Sequence, residues 1–172
     1  MIEGARSWQH NGMSDERDIR DLLARTLAWE DAHVGFEAAV ADIPADLRGK
    51  RPNGVGQSVW ELVEHLRRAQ HDILDFCRNA EYQELEWPAD YWPPTPDPPD
   101  PGAWDESITQ FKEDRKALQD LALDGKTPLT AKIPHGSGQT YAREYLLAAD
   151  HAAYHIGQIV LVRRLLGIWG GK

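Results

Sequence analysis

Cysteine is nearly absent from the 172-residue chain, Cys77 being the only one. An internal disulfide framework and a metal site built from several thiolates are therefore excluded. One thiol also suits a reducing compartment, so a cytoplasmic location is expected. Long apolar runs are missing too. The most apolar stretch, Ile156 to Val162, runs into Arg163 and Arg164 and falls far short of the roughly 20 residues a membrane helix needs. The N-terminus, MIEGARSWQHNGMSDE, lacks the apolar core of a secretory signal. Positive charge is scarce: 19 Lys and Arg stand against 28 Asp and Glu, for a net charge of -9. Such a surface repels polyanions, so neither nucleic acid nor a membrane is an expected partner. What remains is a soluble balance, 27% charged and 41% hydrophobic, with enough chain to bury one core.

Residues 1–13 read as a disordered leader and residues 14–169 as a single domain. Four segments of that domain carry helical period. The first covers residues 14–40, with Ser14 as cap, Asp15 and Glu16 at its positive end, and Ile19, Leu22, Leu23, Leu27, Val34 and Ala38 on one face. Pro44 stops it. The second opens at Ser58, where Ser58-Val59-Trp60-Glu61 fits a capping box, and ends near Asn79. The third runs from about Pro101 or Ala103 to Leu123 and is ended by Asp124-Gly125. The fourth runs from Thr140 to Leu166 and is apolar around most of its circumference, which suits the protein interior or a partner interface.

Between the second and third helices, seven of the fourteen residues from Pro88 to Pro101 are proline. No helix survives that density. Trp87, Tyr91 and Trp92 are too large to stay wholly in water, so the loop is expected to lie across the helices as a strap. Before the fourth helix, residues 129–138 read as a short extended piece and a Gly-rich turn, able to pair as a small hairpin. The fold class is all-α: a four-helix bundle with a long Pro-rich crossover between helices 2 and 3.

Two of the seven histidines, His151 and His155, share a face of the most apolar helix at i, i+4. They are one turn apart, about 6 Å along the axis. Two imidazoles so placed can reach one ion at about 2.0–2.1 Å each. Such a pair is also met as a surface coincidence or a hydrogen-bonded core pair. It is not the zinc-protease motif, because Ala152 stands where that motif needs a glutamate base. A third ligand is required, and His65, beside the apolar stripe of the second helix, is the best placed. Three imidazoles from two helices would leave the far side of the ion open to water or substrate.

The segments Val59-Trp60-Glu61-Leu62-Val63-Glu64-His65-Leu66 and Asp150-His151-Ala152-Ala153-Tyr154-His155-Ile156-Gly157-Gln158 together resemble the DinB-like (YfiT-type) superfamily. Further echoes are Trp29-Glu30-Asp31-Ala32-His33, Tyr91-Trp92-Pro93, Ile133-Pro134-His135-Gly136 and Arg163-Arg164-Leu165-Leu166-Gly167-Ile168-Trp169. The resemblance covers roughly residues 14–169. It implies a four-helix bundle with a long crossover, a divalent metal held by one histidine of the second helix and two of the fourth, and frequent dimers. The matching positions are His65, His151 and His155. Characterised relatives include S-transferases and isomerases that use bacillithiol or mycothiol, which implies a low-molecular-weight thiol and a small-molecule substrate. Nickel, zinc and iron all suit imidazole ligands.

A divalent ion on three neutral imidazoles favours an anionic fourth ligand. It can lower the pKa of bound water for hydrolysis, or deprotonate a thiol cosubstrate for delivery to an electrophile. A metal-dependent transferase or hydrolase is the first expectation. A non-catalytic metal or small-ligand binding protein, or an interaction module with a structural metal site, is the alternative. Around the ligands, Glu61 is available one turn before His65 and Asp150 beside His151, each with a competing role as cap or solvated charge. His33 and Glu30 on the first helix, Gln158 one turn from His155, and Trp92 in the strap are the other candidates for the pocket or for contacts with the ligands. Cys77 reads as a small core residue. Ligation needs neutral imidazole, so metal affinity is expected to rise through the ordinary histidine range near pH 6.5.

Overall fold

The structure is a computed structural model that describes residues 12–170. It contains five α-helices: α1 (Gly12–Thr26), α2 (Phe36–Val40), α3 (Val59–Arg78), α4 (Ala103–Leu123) and α5 (Tyr141–Leu165). No strand occurs among the described residues. The expected hairpin is reduced to one bridge between Lys132 and Thr140, with Ile133 N donating to the Gln139 carbonyl at 2.9 Å. The molecule is all-helical. Its four long helices form the bundle: α3 packs on α4 and α5, α1 on α4 and α5, and α2 on α5. None of these helices is long and apolar enough to cross a membrane.

The segment read as one helix over residues 14–40 is two helices with a turn between them. Residues 28–33 are exposed, so no burial rewards helix there. Beyond the turn, Phe36 is 1% exposed and lies against Phe111, ring centroids 4.2 Å apart. That contact anchors α2 at its own angle, with Gly35 as its N-cap. Helix α1 also starts before Ser14, at Gly12, so Gly12 and Met13 belong to a helix rather than a leader. Residues 1–11 of the proposed leader lie outside the described residues.

The other boundaries follow local chemistry. Ser58 and Glu61 form the expected box: Glu61 N donates to Ser58 Oγ at 3.2 Å, and Ser58 N donates to Glu61 Oε2 at 2.8 Å. Thr140 caps α5 by accepting from Arg143 N. Gly125 and Gly167 take positive φ of 70° and 73° just past α4 and α5, the left-handed turn that glycine supplies without strain. The apolar character of α5 is divided between two sides. Ala148, Ala152, Ile156, Ile159 and Val162 are buried, whereas Leu146, Leu161 and Leu165 are about half exposed.

The core has two parts. One joins Phe36, Trp60, Leu62, Leu66, Phe111 and Ile159; the other joins Leu23, Leu74, Leu118, Tyr145 and Ala148. The Pro-rich loop is laid antiparallel along α3. Pro96 O accepts from Ser58 Oγ at 2.6 Å, Trp92 O and Asp90 O accept from Arg68 Nη1, and Tyr91 Oη donates to Asp72 Oδ2 at 2.7 Å. The strap expectation fits Tyr91 and Trp92. Trp87 departs from it, with 67% of its surface exposed.

Candidate metal centre

His65 projects from the middle of α3, and His151 and His155 from the middle of α5. The two helices pack directly on each other. That packing brings one nitrogen of each ring within 4.8 Å of the others. No fourth His, Cys, Asp or Glu joins the group among the described residues. His65 and His155 are 2% and 7% exposed, and His151 is partly open.

Two of the three ring orientations are set from outside the cluster. His65 Nδ1 donates to the Tyr91 carbonyl at 2.9 Å, which leaves the Nε2 lone pair facing inward. His155 Nδ1 donates to Gln158 Oε1 at 2.6 Å, with the same result. Gln158 is itself held, since its amide donates to Tyr154 Oη at 3.3 Å. Across the cluster, His65 Nε2 and His151 Nε2 are 3.1 Å apart. With His65 Nε2 unprotonated, His151 Nε2 supplies the proton of that contact. Trp92 stacks on His65 with centroids 3.9 Å apart and 3° between the planes, closing one side of the ring.

These features fit a divalent ion. At bond lengths of about 2.05 Å, tetrahedral ligands lie roughly 3.3 Å apart, close to the 3.1 Å between His65 Nε2 and His151 Nε2. Burial disfavours the charged imidazoles. It pushes the His65 pKa down, and with the neighbouring histidines takes His151 to about 3 and His155 to about 4. His151 and His155 are therefore neutral from pH 5 to 8, and burial shifts His65 in the same direction. For those two rings, proton competition with a metal moves to more acidic solution than the ordinary histidine range near pH 6.5.

The remaining candidates are placed elsewhere. Glu61 is occupied by its capping role and by an ion pair with Arg51, so it does not orient His65. Asp150 is exposed. His33 and Glu30 are exposed and line a separate cavity of about 30 Å³ with Ala149, Ala152 and Ile156. His33 Nδ1 bonds the Val34 carbonyl at 2.9 Å. The Cys77 thiol is buried and pushed up to about 12 by desolvation and then by Glu144, so it is inert near neutral pH.

Sequence reasoning missed the Tyr91 carbonyl, for which no side-chain signal exists. It also missed Asp72, which lies two turns after His65 on the same stripe of α3 and was readable from that spacing. Asp72, Tyr91 and Leu147 line a cavity of about 510 Å³ together with Phe76, Tyr82 and His135. Leu147 is one turn before His151 on α5, but none of the three clustered histidines lines this cavity.

A family model, the DinB superfamily, matches residues 19–159. No curated protein and no solved structure gave a match.

Proposed function

The chain belongs to the DinB superfamily, and from that premise we propose that it is a divalent-metal protein, His65, His151 and His155 being the ligands, that acts enzymatically on a small electrophile. The carrying observation is the convergence of three imidazoles, His65 and His155 turned by outer hydrogen bonds on Nδ1, with no fourth protein ligand among the described residues. A structural site is ordinarily closed by four protein ligands, whereas a catalytic one keeps a position open. When bound, a divalent ion supplies Lewis acidity that generates hydroxide or thiolate at neutral pH. The protein's own part is to bury the rings, aim Nε2 of His65 and His155 at the ion, and exclude water on the Trp92 side. The reaction would be transfer of a low-molecular-weight thiol, or hydrolysis. Zinc, nickel and iron are the candidate ions, the cytoplasm the location, and a homodimer the assembly.

Elemental analysis tests the ligand set. Native protein should carry near-stoichiometric zinc, nickel or iron, and His151→Ala should lose most of it. Equal content in both removes the proposed site. With metal loaded, conjugation of a small thiol to a chlorodinitrobenzene and cleavage of a chromogenic ester separate the two reaction classes. Tight metal binding with neither activity would favour the non-catalytic binding protein.

A further inference from the structure

Resting on the metal reading above, we propose that Asp72 is a positioning residue for the centre: by holding the Tyr91 hydroxyl it fixes the strap, so that the Tyr91 carbonyl keeps His65 in its Nδ1–H tautomer with Nε2 turned inward.

His65, Arg68 and Asp72 lie on one stripe of α3, with about 10 Å along the axis between the first and last. Tyr91 spans the part of that stripe that matters. Its main chain accepts from His65 Nδ1 at 2.9 Å, and its side chain donates to Asp72 Oδ2 at 2.7 Å. One strap residue thus ties a ligand ring to a carboxylate two turns away on the same helix. Asp72 has no cationic partner among the described residues; its other oxygen accepts from Tyr82 Oη at 2.8 Å. The carboxylate is therefore spent on two phenols, and charge-assisted bonds of this kind are about twice as strong as neutral ones. Burial and Asp72 raise the Tyr91 phenol well above its ordinary pKa, so it stays a donor. The backbone beyond is stiff. Trp92 is extended, with φ -118° and ψ 143°, as a residue before proline must be, and Pro93 and Pro94 follow. Releasing the Tyr91 hydroxyl leaves this stiff segment free to pivot about Arg68, and the carbonyl is the atom that moves off His65.

The fixed tautomer has a chemical consequence. Without an acceptor at Nδ1, neutral imidazole places its proton on either nitrogen, and the Nε2–H form cannot ligate through the nitrogen that faces the cluster.

The test uses the full chain. Zinc affinity is measured by competition with a chromogenic chelator, and the His65 tautomer by long-range nitrogen–proton correlation in the metal-free protein. Native protein should show His65 in the Nδ1–H form. Tyr91→Phe removes only the hydroxyl; it should weaken zinc binding by about 10-fold or more and give a mixture of tautomers, with helicity unchanged. Asp72→Asn should act in the same direction. Tyr82→Phe, which frees the other oxygen of Asp72, should stay within about twofold of native in zinc affinity, as expected for a contact away from the ligand ring. Native zinc affinity and tautomer in Tyr91→Phe overturn the proposal. So does an Nε2–H form of His65 in the native protein, a readout that needs no variant to fold. Failure of the metal reading is a different result: His151→Ala binds zinc as well as native does, whatever Tyr91 does.

Discussion

Gln158 does for His155 what a main-chain carbonyl does for His65. Its Oε1 accepts from Nδ1 at 2.6 Å and its amide is steadied by Tyr154. The two interactions differ in how they can be altered, since a side-chain acceptor is removed by one substitution and a carbonyl is not. Gln158→Leu keeps the bulk and deletes the acceptor. We expect zinc affinity to fall by about 10- to 100-fold, the usual cost of losing such a partner, with little change in helicity. Unchanged affinity by chelator competition would remove Gln158 from the site. The same comparison explains what could be read from the chain alone. His151 and His155 share a face because they are four apart on a helix, and His65 sits within an apolar stripe; spacing conveys both facts. The Tyr91 carbonyl could not be found that way, because every residue carries one. Glu61 had the right spacing for His65, but the capping box and Arg51 claim it first.

Helix α3 is the element on which the site depends, and its start is fixed by Ser58. That hydroxyl accepts from Glu61 N and donates to Pro96 O in the strap, so cap and crossover are joined at one atom. Ser58→Ala should cost about 1–2 kcal/mol in chemical denaturation, toward the upper end of N-cap losses because a strap bond is lost as well. A cost below about 0.5 kcal/mol would mean that the strap is not held there. The box was legible because it is a local pattern. The break in the first predicted helix was not, because Leu27, Val34 and Ala38 keep helical spacing straight through it. What decides the break is tertiary: Phe36 is buried against Phe111 while residues 28–33 face solvent. Aromatic size served well for Tyr91 and Trp92, which meet α3, and failed for Trp87, whose ring neighbour is Tyr91 of the strap itself, at 5.3 Å, and which stays 67% exposed.

At the scale of the whole molecule, burying three imidazoles together links stability to pH. The folded state holds all three below their ordinary pKa, His151 at about 3 and His155 at about 4. Unfolded histidine titrates near 6.5. Between those limits the unfolded chain binds protons that the folded chain refuses, so stability is full above pH 6.5 and is lost progressively as pH falls toward 4. Buried carboxylates add a separate window. Burial would raise Glu61 and Glu64, but their arginine partners and hydrogen bonds outweigh it and hold both below 4.5, so their contribution disappears only in more acidic solution. The interval from pH 4.5 to 6.5 therefore reports the histidines. Metal-free protein should lose several degrees of Tm across it, and a His151→Ala, His155→Ala double variant should show a distinctly flatter profile. Zinc should oppose the loss, because an ion bound only to the folded state adds stability that grows with its free concentration, about 2.7 kcal/mol at one hundred times Kd. If native and double-variant profiles run parallel from pH 6.5 to 4.5, the three rings are not buried together and the centre built on them is not there to hold an ion.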